Sequence, residues 1–346
     1  MKHFTLTGAV RAGALTAIAA CWATIAAAQD VTLKMHQFLP PQANVPKLIL
    51  VPWAERVMEA SGGRIKIDHF PSMQLGGKPP ELATQVVDGV ADIIWTVAGY
   101  TPGRFPQAEV FELPFIMTNA EDTSRAFWQF AEANMMDADF AEMKILGVWV
   151  HGPGVIHSKD PVNSIADLNG KTVRGPTRII TGMLGELGAT PVGMPVPAVP
   201  EALSKGVINA TVIPWEVTAA LKVPELVTNH TTFGDEALYT TAFIFAMNKD
   251  KYDSLPDDLK AAIDGQSGAD LSALAGKTMA ESDGPARKAA EDRGNNIIDL
   301  TPEQVAEWKE AAGPVEAGWI ADMDAKGFDG QALVDQAKSL IEKNSM

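Results

Sequence analysis

Apolar and polar positions alternate with a period of two over Val31–Phe38 and Arg64–Phe70, which predicts two half-buried strands. Between them the spacing changes. Leu48, Val51, Trp53, Ala54, Val57 and Met58 fall on one face of a helix over Val45–Ala60, closed by Gly62-Gly63. A short helix over Pro79–Val87 and an apolar strand over Ala91–Val97 follow, and Ile145–Val150 reads as another strand. The same grammar restarts near Lys171: strand Lys171–Arg174, helix Ile179–Leu187, strand Thr190–Met194, helix Val199–Lys205, strand Ala210–Ile213. In both passes a helix runs into a strand through matching tetrapeptides, Gly89-Val-Ala-Asp92 and Gly206-Val-Ile-Asn209. The expected architecture is α/β, with two related lobes.

Further elements suggest how the lobes connect. Thr240–Met247 predicts a strand long enough to cross between them, and Leu259–Glu291 a long, alanine-rich helical stretch interrupted by glycine. Thr301 and Gln304 flank Pro302 as a capping box that opens a helix to Ala312. No low-complexity linker intervenes, so shared crossover strands and hinged closure are expected. The expected boundaries are 29–155 for the first lobe, with parts of 241–290, and 156–240 for the second. Residues 291–346 are expected to pack across both.

Residues Met1–Ala28 form an export signal: Lys2 and Arg11 supply charge, Ala14–Ala28 is largely apolar, and Ala26-Ala27-Ala28 offers a cleavage site before Gln29. Ile18-Ala19-Ala20-Cys21 also resembles a lipoprotein box, but the apolar residues after it make a poor tether, so cleavage after Ala28 is preferred. Cys21 is the single cysteine, so the mature chain has no disulfide, thiol nucleophile or thiolate metal site. The formal charge of −15 becomes more negative once Lys2 and Arg11 are removed, which argues against nucleic acid and anionic membranes as partners. No further long apolar run follows the signal, and a soluble, periplasmic chain is expected.

Enzyme signatures are missing: no Gly-x-Ser-x-Gly elbow, no phosphate-binding Gly-x-x-x-x-Gly-Lys loop, no Gly-x-Gly-x-x-Gly fingerprint, and no histidine pair at metal-ligand spacing. No cofactor or metal is expected. Two Asn-x-Thr sequons, at Asn209 and Asn229, are weak patterns in a chain with a bacterial-looking signal. The chemistry-bearing candidates sit at strand ends. Arg174 ends a strand just before Gly175-Pro176, and its planar fork suits a carboxylate gripped through two hydrogen bonds. His36 and Phe38 end the first strand. Trp95 lies in an apolar strand, where a core role is equally natural, and Tyr100 follows it. His151 precedes Gly152-Pro153-Gly154, while Ile213 and Trp215 flank Pro214. Such residues line apolar pockets with few polar groups.

The Gly62-Gly63-Arg64 to Phe70-Pro71 run, Gln74-Leu-Gly-Gly77, Gly89–Asp92, Phe111-Glu-Leu-Pro-Phe115 and Asp167–Arg174 carry a resemblance. Leu187-Gly-Ala-Thr-Pro-Val192, Asn248-Lys-Asp and Leu255-Pro-Asp complete the set. From about Val31 to Ala312 the chain resembles the extracytoplasmic receptors of tripartite ATP-independent periplasmic (TRAP) transporters, the DctP family. The resemblance implies a two-lobed periplasmic binding protein in which the arginine matching Arg174 pairs with a ligand carboxylate between the lobes. It also implies delivery to a small and a large membrane subunit, driven by an ion gradient without ATP hydrolysis. Two positions depart from the family pattern. His151–Gly154 stands where many members carry another arginine, and Ile213 stands where many carry asparagine. A pocket short of a cation and an amide implies a monocarboxylate with an apolar or aromatic body rather than a dicarboxylate. Two other readings stay open at this level: an exported enzyme acting on a small acid, with Asp92 or Glu216 as base, and a ligand sensor for a signalling partner.

Overall fold

The computed structural model describes residues 30–346, so the expected export signal, with Cys21 and Ala28, lies outside the described residues. Strands β1 (Val31–His36), β2 (Ile65–Phe70), β3 (Ile93–Val97), β4 (Met143–Val150) and β10 (Ala242–Asn248) form one sheet, ordered β2-β1-β3-β10-β4. A second sheet, ordered β11-β9-β5-β8-β6-β7, takes β5 (Gly154–Ser158), β6 (Thr172–Gly175), β7 (Thr190–Gly193), β8 (Ala210–Pro214), β9 (Asn229–Thr232) and β11 (Asn296–Asp299). Each sheet centres a lobe. Their central strands are largely apolar, and every residue of β3, β8 and β10 is buried.

The repeated tetrapeptide is one joint built twice. Gly89 and Gly206 close their helices at φ 70° and 71°, a left-handed conformation that glycine adopts without strain. The next polar side chain then pins the neighbouring parallel strand. Asp92 Oδ2 accepts from the Lys34 amide at 2.7 Å, and Asn209 Oδ1 accepts from the Thr172 amide at 3.0 Å. The backbone bonds match too, Asp92 N–H to Lys34 O and Asn209 N–H to Thr172 O. Thus β2-β1-β3 and β7-β6-β8 are equivalent halves.

The crossovers differ from the expected ones in detail. β10 pairs solely with β3 and β4, both antiparallel, so it does not itself span the lobes. The chain crosses through Gly152-Pro153, between β4 and β5, and again through residues 233–241, between β9 and β10. The long helical stretch resolves into helices Asp257–Asp264, Ala269–Glu281 and Asp283–Asp292. The second packs on the first lobe and the third on the turn after β8, making a third crossing at Ser282. The capping box is present as both of its hydrogen bonds, Gln304 N–H to Thr301 Oγ1 and Thr301 N–H to Gln304 Oε1. Beyond it, helix Pro314–Ala325 touches helix Arg178–Glu186 of the second lobe, while helix Gly330–Asn344 packs on Ala120–Asn134 of the first.

Candidate functional site

Parallel strands deliver their carboxyl ends to one edge of a sheet, and ligands of open α/β sheets bind there. The carboxyl ends of β1 and β3 bring Phe38, Trp95, Val97 and Tyr100 to the cleft. β10 runs antiparallel, so Tyr239 and Thr241 on its approach and Phe243 near its start arrive at the same edge. His151 follows the end of β4 there. From the facing lobe come Arg174 near the end of β6 and Pro176 just after it, Val196 after β7, Ile213 and Pro214 at the end of β8, and Glu216 and Val217 in the turn that follows. Together they line a narrow cavity between the lobes. Its first-lobe wall is aromatic. Phe38 stacks on Trp95 at 4.7 Å between ring centroids, and Trp95 on Phe243 at 5.0 Å.

Arg174 is the cationic feature of this cavity. Its side chain is 1% exposed. Nε donates to Met194 O at 2.8 Å and Nη1 to Val212 O at 3.0 Å, which fixes the guanidinium plane. Nη2 is buried with no protein partner, and no carboxylate among the described residues pairs with the group. Burial lowers its pKa from the ordinary arginine value, with the phenols of Tyr100 and Tyr239 acting the other way. Arginine nonetheless keeps its proton in proteins. A buried cation held by carbonyls, with a free donor on the cavity, calls for an anion.

His151 does not replace the missing second cation. It is buried beside Arg174, and burial pushes its pKa down to about 4. Its Nδ1 bonds the Gly152 carbonyl and so carries the proton, leaving Nε2 to accept from Thr241 Oγ1 at 3.0 Å. The lobes meet across the cavity through the Tyr100 hydroxyl, which accepts from Val196 N–H at 2.8 Å, and through Asn44 Nδ2, which donates to Glu216 O at 2.8 Å. Beside it, Arg178 grips Glu109 with two bonds of 2.6 and 2.5 Å, and Trp319 Nε1 donates to the same carboxylate at 3.2 Å.

Of the sequence candidates, Phe38, Trp95, Tyr100, His151, Arg174 and Ile213 line the cavity. Two do not. His36 is fully buried behind β1, its Nδ1–H directed to Gln85 Oε1 at 2.9 Å and its Nε2 accepting from Leu75 N–H at 3.3 Å. Trp215 turns away, packing against His157 and His230 with centroids 5.0 and 4.9 Å apart. The reason is the turn at Pro214: the chain enters a single 3₁₀ turn, Trp215–Val217, that sends Trp215 behind the sheet and Glu216 to the cavity. Behind Trp215 a neutral relay closes the second lobe. His157 Nε2–H donates to Ile213 O, so its Nδ1 accepts from His230 Nδ1–H at 2.6 Å, and His230 Nε2 accepts from Asn295. Tyr239, Thr241 and Phe243 lay unrecognised in the predicted strand and its approach. Their signal was their place at the start of an apolar run, which says nothing of which sheet edge receives it.

Buried ionisable groups around the site make stability depend on pH. Burial pushes the carboxyls of Glu112 and Glu216 up to about 8 and that of Asp283 up to about 7. It lowers His36, His69, His151, His157 and His230 below the usual 6.5. Below pH 6.5 the unfolded chain takes up imidazole protons that the folded chain refuses, which offsets the carboxyl protons the folded chain retains. Above 6.5 the imidazoles are silent and the folded chain alone holds carboxyl protons, so stability falls as pH rises, by about 1.4 kcal/mol per pH unit per proton. Thermal unfolding of the ligand-free protein is expected to peak near pH 6.5 and decline towards pH 8, and Glu112→Gln to shallow that decline. A flat profile from 6.5 to 8.5 would mean these carboxyls are ionised in the fold.

A two-lobed α/β fold with a recognition cavity sunk between the lobes defines a class, the solute-binding proteins. The family described as bacterial extracellular solute-binding protein, family 7 (DctP), matches residues 37–321, and the chain belongs to it. It is similar to a TRAP solute-binding protein from Rhodoferax ferrireducens, solved with copurified benzoate, at 48% identity and TM-score 0.90, over 91% of this chain and 98% of that one. It is similar also to a marine-metagenome TRAP solute-binding protein specific for aromatic acid ligands, solved with 3-hydroxybenzoate. That match has 50% identity, TM-score 0.90, and covers 92% of this chain and all (100%) of that one. A Bordetella bronchiseptica TRAP solute-binding protein with bound mandelate matches at 28% identity and TM-score 0.83, over 90% and 99% of the two chains.

Proposed function

We propose that this protein captures an aromatic monocarboxylate in the periplasm, through a salt bridge to Arg174, and hands it to the small and large membrane subunits of a TRAP transporter. The observation that carries the reading is the buried Arg174 guanidinium, with Nη2 unpartnered on a cavity walled by stacked aromatic rings. One anion is called for and no second cation lines the cavity, so a dicarboxylate would bury an unpaired charge, at a cost of several kcal/mol. The benzoate, 3-hydroxybenzoate and mandelate held by its relatives support the same ligand class. Residues 1–28 act as the export signal, cleaved after Ala28. The protein binds its ligand without transforming it, and an acid incubated with it is expected to be recovered unchanged.

The test is thermal unfolding of the mature chain against benzoate, mandelate, succinate and gluconate. A ligand at about 100 times its Kd adds roughly 2.7 kcal/mol, a shift of a few degrees for a chain of this size. The shift is expected with the aromatic acids and not with succinate. A shift with succinate alone would overturn the aromatic reading, and no shift with any acid would overturn the carboxylate reading.

A further inference from the structure

Three buried polar atoms on residues lining this cavity have no protein partner: Arg174 Nη2, Glu216 Oε2 and, within the aromatic wall, the donor Trp95 Nε1. Arg174 and Glu216 do not bond each other, and a simple benzoate has a polar group for the first and nothing for the second. We propose that Glu216 is the hydrogen-bond partner of a ring hydroxyl, so that the preferred cargo is a hydroxylated aromatic acid held by Arg174 at its carboxylate and by Glu216 at its hydroxyl. The inference rests on the carboxylate reading above and adds to it the second polar contact.

Glu216 is placed for this role by its backbone. Its N–H donates to Asp283 Oδ1 at 2.8 Å and its carbonyl accepts from Asn44 Nδ2 at 2.8 Å, the latter from the opposite lobe. The side chain is 3% exposed and lines the cavity, while Trp215 before it points behind the sheet. Burial and the neighbouring Asp283 push its carboxyl up to about 8, so at neutral pH it is mostly protonated and can donate as well as accept. A carboxyl that can both donate and accept suits a phenol hydroxyl, which does the same. Two further polar groups on the cavity are already engaged: His151 Nε2 by Thr241, the Tyr100 hydroxyl by Val196 N–H. A site built to hydrogen-bond a hydroxyl discriminates against the analogue that lacks it, because its own buried group is then left unpaired.

The experiment is calorimetric titration of the parent, Glu216→Leu and Glu216→Gln with benzoate, 3-methylbenzoate, 3-hydroxybenzoate and 4-hydroxybenzoate, with the melting temperature of each variant recorded. The parent is expected to bind one hydroxybenzoate at least tenfold more tightly than benzoate and 3-methylbenzoate. Glu216→Leu is expected to bring that ratio to within threefold of one, and Glu216→Gln, which retains a donor and an acceptor, to keep part of it. If Glu216→Leu does not fold, Glu216→Gln decides: a reduced hydroxyl preference supports the role of Glu216, and an undiminished one overturns it. Benzoate binding with no hydroxyl preference, or a preference that survives in Glu216→Leu, overturns the role of Glu216 and leaves the carboxylate reading standing. Absence of binding by every aromatic acid removes both.

Discussion

Arg174→Met is expected to weaken binding of an aromatic acid by about 2–5 kcal/mol, the range for truncating one partner of a buried, hydrogen-bonded charge pair. The same substitution is expected to raise the melting temperature of the ligand-free protein. Both effects follow from one fact: the guanidinium is buried against the carbonyls of Met194 and Val212, with one nitrogen unpartnered and no carboxylate beside it. Without ligand, that charge costs desolvation energy that its carbonyl contacts only partly offset, and an apolar side chain of similar length removes the cost. With ligand, the anion completes the group. Calorimetric titration beside thermal unfolding reads both signs. An affinity within threefold of the parent would show that Arg174 is not the carboxylate's partner. A fall in both affinity and ligand-free stability would instead make it a structural residue.

Gly99→Ala is expected to reduce affinity at least tenfold, about 1.4 kcal/mol, while changing ligand-free stability little. Gly99 sits in the turn after β3, where the first lobe meets the second. A Cβ there would collide with Thr177 Cγ2 and stand 2.6 Å from Thr177 Cβ. Thr177 begins helix Arg178–Glu186 of the facing lobe, so the clash exists where the lobes meet and is relieved by parting them. The extra methyl acts as a wedge against closure rather than as a defect in either core. Small-angle scattering with saturating ligand is expected to show a more open particle than the parent. Adding Thr177→Gly, a substitution that costs a helix N-terminus only a few tenths of a kcal/mol, should restore binding. Parent-like affinity in Gly99→Ala alone would show that this contact does not limit closure.

Much of the fold was legible because its signals are local. Alternation marked β1 and β2, helical spacing marked Val45–Ala60, and the Thr301–Gln304 box marked a helix start, since each depends on neighbours within a few residues. The doubled tetrapeptide revealed the two related halves for the same reason: glycine is needed at the left-handed turn, and Asp92 or Asn209 is needed to cap the adjacent strand. Arg174 stood out because a strand end before Gly-Pro leaves a guanidinium at a crevice.

Side-chain direction past the end of a strand was not legible. His36 and Phe38 share a face by alternation, yet β1 stops at His36, and the turn that follows sends the imidazole to Gln85 and the phenyl ring to the cavity. One 3₁₀ turn after Pro214 likewise exchanges Trp215 for Glu216. Sequence by itself determined the two-lobed α/β plan, the aromatic character of the cleft and its arginine, because periodicity, capping and residue chemistry act at short range. Tertiary structure alone decided that β10 enters antiparallel between β3 and β4, bringing Tyr239, Thr241 and Phe243 into the cavity. It also decided that Arg174 would be buried without a counter-charge, because strand insertion and charge pairing depend on partners far away in the chain.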